Sequence, residues 1–97
     1  MSLRGEPVEQ GATLPDGRRV TIRIGVPEDP YIPKRELDTV DVEIFHGETP
    51  LAAVNTILDA RDTSEARRLA RTLVQRLESG ELEPTAAAIE TLADSRL

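Results

Sequence analysis

His46 is the first residue to consider for chemistry, because it is the only histidine in the chain and an imidazole changes its charge near neutral pH. No serine lies at the spacing of a nucleophile motif, and Gly47 follows His46 at a predicted strand end, so a turn residue is the simpler interpretation. Cysteine is absent, which excludes a thiolate nucleophile, a disulfide and a zinc–thiolate site. The sequence therefore predicts no catalytic residue and a protein that is not an enzyme.

Acidic side chains form short clusters, and carboxylates are the usual ligands of hard cations. None of these clusters has the glycine-containing spacing of a calcium loop, and the chain has no glycine-rich phosphate-binding loop. We therefore expect neither a metal ion nor a cofactor. The clusters lie at residues 28–29, 38–43 and 81–83.

A proline-containing stretch holds the only tyrosine of the chain. Its prolines recur every third residue, which is the period of a polyproline II helix, and residues 30–35 match a PxxPxR ligand pattern. The alternatives are a stiff connection between two strands, a contact arm to another copy of the chain, and a ligand for an SH3-type domain. The predicted partner-contact residues are Pro27, Pro30, Tyr31, Ile32 and Pro33.

Arginine is concentrated between residues 59 and 79, where five arginines stand against four acidic residues. Four of these arginines share much of the predicted helix face opposite the apolar stripe, as phosphate contacts would require, although a solvated charged face is the simpler interpretation. The net charge of the whole chain is −6, which opposes a general role in nucleic-acid binding. The candidate anion-binding residues are Arg67, Arg68, Arg71 and Arg76.

The composition is that of one small soluble domain. The chain has 97 residues, of which 38% are hydrophobic and 31% charged, so it has enough apolar material to fold. No apolar run approaches the roughly 20 residues that span a bilayer, and no signal peptide is apparent, so we expect a cytoplasmic protein without membrane contact. A core of this size gives marginal stability, which burial against a second copy would increase.

Alternating apolar residues predict two strands, and a third segment is ambiguous. Residues 19–26 and 39–46 place apolar side chains on one face and polar side chains on the other. Residues 51–59 are rich in strand formers, but Thr49-Pro50 also resembles a helix start, and we favour the strand. A turn at residues 14–17 is preceded by a possible short strand at 12–14, and residues 1–11 are expected to form a flexible tail.

Two helices are predicted in the C-terminal part of the chain. Asp62-Thr63-Ser64-Glu65 fits a capping-box spacing, and Gly80 provides a helix end. The apolar stripe between them consists of Ala66, Leu69, Ala70, Leu73, Val74 and Leu77. A second helix is expected from about Pro84. Its predicted buried residues are Ala86, Ile89, Leu92 and Ala93.

The element order β-β-β-α-α predicts a two-layer α+β fold in a single domain spanning residues 12–97. A three-stranded, possibly four-stranded, antiparallel meander would pack on the two C-terminal helices. On this basis we expect a small non-enzymatic protein-interaction module that forms a homodimer through the proline-containing stretch and an exposed sheet edge or face. The alternative function is nucleic-acid binding through the arginine-rich face of helix 63–79.

Two resemblances of pattern bear on this choice. A strand followed by Asp62-Thr63-Ser64-Glu65-Ala66 and a helix is similar to a pattern in small bacterial antitoxin-like domains, which is compatible with protein binding but too short to assign a family. The β-β-β-α order with basic residues opening the helix resembles double-stranded RNA-binding domains over about half of the chain. The leading helix and the lysine-rich motif of that family are missing, so the chain is not assigned to it.

Overall fold

A computed structural model describes residues 7–26 and 39–96. The predicted contact residues of the proline-containing stretch, from Pro27 to Pro33, lie outside the described residues. The elements in chain order are β1 (Val8–Thr13), β2 (Arg19–Gly25), β3 (Thr39–His46), β4 (Thr49–Asp59), α1 (Thr63–Ser79) and α2 (Ala86–Arg96).

The four strands form an antiparallel sheet in the order β1-β2-β3-β4, which confirms the predicted α+β meander in its four-stranded form. β1 begins at Val8, which pairs with Ile24, so residues 8–11 belong to the sheet and the prediction of a tail was wrong for them. The short strand expected at 12–14 is therefore the end of a longer one. Its alternation was hidden because Glu9 and Gln10 are both polar, although Ala12 is buried.

Residues 51–59 lie in a strand, as favoured, and Thr49-Pro50 begins that strand rather than a helix. Two register shifts interrupt the pairing of β4 with β3. Near its start, Ala52 pairs with Ile44 but Pro50 pairs with Phe45, so Leu51 is an extra residue. Near its end, residues 56–58 lie opposite Val40 alone. The longest regularly paired part of β4 is residues 52–55, between the two shifts, and Thr49 and Pro50 pair with β3 beyond the first shift.

Helix α1 has the predicted ends. The Asp62 carboxylate accepts the Glu65 backbone N–H at 3.1 Å, and Gly80 closes the helix with φ of 82°. That angle favours glycine, and a side chain at this position would also meet the Pro15 ring, since a Cβ would lie 3.3 Å from the Pro15 Cγ. The turn between β1 and β2 therefore packs against the C-terminal end of α1.

The two helices cover different parts of one sheet face. Helix α1 packs on β1 and β2, and α2 packs on β4. The stripe of α1 is buried as predicted except for the half-buried Val74, and Leu73 is completely inaccessible to solvent. In α2, Ile89, Leu92 and Ala93 are buried, but Ala86 is exposed because it is the first residue of the helix.

Candidate interaction surfaces

The strands have a covered face, which faces the helices, and an open face on which no described element packs. Cross-strand pairing aligns one charged row on the open face. Arg23 lies between two carboxylates: its Nη1 is 3.2 Å from a Glu43 oxygen and its Nε is 3.7 Å from a Glu9 oxygen. This row neutralises part of the face and fixes the side chain of Arg23.

Asp41 lies beside this row on the open face, and it is half-buried. Burial raises its pKa above the ordinary value of 3.8, and the negative charge of Glu43 raises it further. In the orientation that satisfies both groups, the amide nitrogen of Asn55 donates to the two Asp41 carboxylate oxygens at 2.9 and 3.2 Å. The pair ties the regular part of β4 to β3.

His46 is exposed at the end of β3, next to Gly47, whose φ is 63°. The described part of the chain contains no group of three or more histidine, cysteine or carboxylate side chains that would hold a metal ion. No described helix is long and apolar enough to cross a bilayer.

The face of α1 opposite its apolar stripe exposes Arg67, Arg68 and Arg71. Arg68 pairs with Glu65 at 3.2 Å, whereas Arg67 and Arg71 form no ion pair with the residues that the structure describes. At about 100° per residue, Arg76 lies roughly 140° around the helix from Arg71. Arg76 is exposed too, but the structure brings only the first three candidate residues together.

A shallow groove of about 220 Å³ separates the β1–β2 turn from the α1–α2 connection. Its floor is apolar, with Leu14, Leu77 and Leu82 among the lining residues, and the Asp16–Arg18 ion pair stands at its rim with an Nε–Oδ2 distance of 2.7 Å. The backbone N–H of Arg18 lowers the pKa of Asp16, and the Arg18 side chain lowers it further. The groove contains no titratable group in a buried position.

The end of the molecule formed by β4 and α2 is nearly uncharged. No charged residue occurs from 49 to 58, and Glu90 is the only one from 84 to 93, although 31% of the whole chain is charged. The two segments pack against each other. We call this surface the low-charge end. Glu90 is its one exposed charged side chain, and its other exposed side chains are neutral: Thr49, Pro50, Ala53, Asn55, Thr85, Ala86, Ala87 and Thr91.

The sequence reasoning missed this surface. Each low-charge segment was visible on its own, but the segments are about thirty residues apart, and only the packing of α2 on β4 joins them. A search for windows depleted in charge would have found both segments.

Comparison with known proteins adds no assignment: no family model, no curated protein and no solved structure matches the chain.

Proposed function

We propose that this chain is a non-enzymatic protein-interaction module that self-associates into a homodimer through its low-charge end. The observation that supports the proposal is that the packing of α2 on β4 joins an uncharged segment, residues 49–58, and a segment with one charge, residues 84–93, into one surface. The centres of protein–protein interfaces are depleted in charged residues, whereas the free surface of a small domain is ordinarily rich in them.

Electrostatics favours this end for contact between two copies. Each copy has a formal charge of −6, so two copies repel each other over most orientations. The repulsion is weakest where the acidic residues are fewest, which is at the low-charge end. Self-association there would also add burial to a domain whose own core is small.

Sedimentation velocity across a range of protein concentrations tests the proposal. We expect a monomer–dimer equilibrium in the wild-type chain and a weaker one in Ala87→Glu, which adds two charges to each dimer at an exposed position of α2. Glutamate in the first turn of a helix is favourable, so the variant should fold. Thr21→Glu, at an exposed position of β2, is the matched control and should dimerise like the wild type. A wild-type chain that stays monomeric at high micromolar concentration would refute the proposal.

One observation favours nucleic-acid binding as a second function. Arg67 and Arg71 lie one turn apart without an ion pair among the described residues, in a chain that has eighteen acidic residues. Two adjacent unneutralised guanidinium groups are suited to phosphate contacts.

Fluorescence anisotropy with labelled RNA and DNA duplexes at several salt concentrations tests this second function. If the arginines contact phosphates, the double reversal Arg67→Glu/Arg71→Glu should abolish binding, and the wild-type affinity should fall steeply with salt. Arg76→Glu is the matched control, because Arg76 points away from the pair. Binding that is absent, or that does not depend on salt, would exclude this function.

A further inference from the structure

The two outer strands of the described sheet differ sharply. β1 has six residues, includes Glu9, and pairs with β2 without a register shift. β4 has eleven residues and carries no charge before Asp59. Outer strands are usually protected from further pairing by charge, shortness, proline or bulges, and β4 has only Pro50 and its two register shifts. β4 is thus the less protected of the two edges.

We infer that β4 pairs antiparallel with β4 of a second copy, about a two-fold axis that passes through one of residues 53–55. This inference rests on the proposed homodimer and specifies the strand that forms it. The two four-stranded sheets would become one continuous sheet of eight strands, with the order β1-β2-β3-β4-β4-β3-β2-β1.

Symmetry restricts this pairing. A two-fold axis that joins two antiparallel edges is perpendicular to the sheet, so the open faces of both copies lie on the same side. Directly opposite residues must then come from the same face, because side chains alternate between faces along a strand. Ala53 therefore lies opposite Ala53 of the second copy when the axis passes through residue 53 and opposite Asn55 when it passes through residue 54. When the axis passes through residue 55, Asn55 lies opposite Asn55. None of these side chains is charged, so the pairing brings no like charges together.

The size of the edge is adequate for a specific dimer. Eleven residues at about 3.3 Å each make an edge about 36 Å long, and a sheet with one helix layer is about 20 Å deep. Residues 52–55 supply the strand pairing, and if the rest of the edge and α2 pack on the second copy beside it, each copy covers about 700 Å², which places the total within the range of specific interfaces. The small exposed side chains of α2, such as Ala87, let the two helix layers approach each other.

The register shifts of β4 limit the pairing of two β4 strands to one short segment. Between them lie the four residues that pair regularly with β3, so a second β4 meets one short regular segment and cannot slide along the edge without meeting an irregular one. After pairing, the outer edges are the two short β1 strands, which carry Glu9. The expected product is a closed dimer and not a growing fibril.

Disulfide cross-linking tests the inference, because the wild-type chain has no cysteine. The double variant Ala53→Cys/Asn55→Cys places thiols opposite each other for any axis position from 53 to 55, at Cα separations of about 4.5–5.5 Å that permit a disulfide. Arg19→Cys/Thr21→Cys is the matched control, since both positions are exposed and lie on the same face of β2 with the same spacing.

Under mild oxidation at equal concentration, we expect the β4 variant to form covalent dimers at least tenfold faster than the control. Sedimentation of the reduced variants separates the possible failures. A dimer in which the β4 thiols cross-link no faster than the control thiols overturns the strand pairing and leaves the proposed homodimer standing. A chain that is monomeric in its wild-type form overturns both. Far-UV circular dichroism of each variant verifies that the sheet is intact.

Discussion

Replacing Thr56 by valine should destabilise the protein even though the two side chains have nearly the same shape. Thr56 is buried on the covered face at the second register shift of β4. Its hydroxyl donates to the Val40 carbonyl at 2.6 Å and accepts the Leu58 backbone N–H at 3.2 Å. One side chain thus hydrogen-bonds two backbone groups where the pairing of β3 and β4 is irregular.

The magnitude follows from those two groups. Each buried polar group left unsatisfied costs about 1–3 kcal/mol, and the extra buried methyl of valine returns about 0.8 kcal/mol. The two groups together therefore give a net loss of about 1–5 kcal/mol in the free energy of unfolding. For a domain of this size, each kcal/mol lost lowers Tm by about 4–8 °C.

Thermal and urea unfolding, followed by circular dichroism, measure the loss. Thr56→Ser is the matched control because it keeps the hydroxyl and removes only a methyl group, at a cost of about 1 kcal/mol. The valine variant should therefore melt below the serine variant. If valine melts at or above serine, the hydroxyl does not support the irregular segment and the reasoning is refuted.

Three further results are expected. Leu73→Ala, at a position with no exposed surface, should lower the free energy of unfolding by about 2–5 kcal/mol in urea titrations, and a variant that melts like the parent would contradict the assigned core. Because the pKa of Asp41 is raised in the fold, the folded state holds its proton at higher pH than the unfolded state, so this group makes stability fall as pH rises through and above 3.8. Urea titrations from pH 3.5 to 7 should show a weaker fall in Asp41→Asn, and an unchanged profile would show that Asp41 is not the cause. Tyr31→Ala should weaken dimerisation in sedimentation experiments if the proline-containing stretch contacts the second copy, and an unchanged dimer would remove that stretch from the interface.

The elements that could be predicted from the sequence are those with one buried face and one exposed face. Val20, Ile22 and Ile24 alternate with exposed or half-buried residues because β2 has a covered and an open face, and the α1 stripe follows from the same asymmetry. β1 was harder to see because it is short and its polar residues Glu9 and Gln10 are adjacent, so only its pairing with β2 identifies its full length.

The candidate surface was less predictable than the fold. A lack of charge in one segment of sequence does not by itself identify a surface. The two low-charge segments form one surface only because β4 and α2 are adjacent in space. The exposed arginines of α1, in contrast, lie on one helix, so their positions relative to one another could be predicted from the sequence. Helical periodicity places Arg67 and Arg71 together, and the same periodicity separates Arg76 from them.

The contact between β1 and α1 joins segments that are far apart in sequence, and this affects the order in which the chain folds. The Thr13 backbone N–H donates to the Glu78 carboxylate at 3.2 Å across 65 positions, and α1 packs on β1 and β2. Each hairpin pairs two strands that are adjacent in sequence, so its formation closes a short loop. The packing of α1 on β1 closes a loop several times longer. We therefore expect the meander to be largely assembled in the transition state and α1 to dock late. During synthesis, the apolar face of β1 and β2 would therefore stay exposed to solvent until α1 has left the ribosome and packs on it.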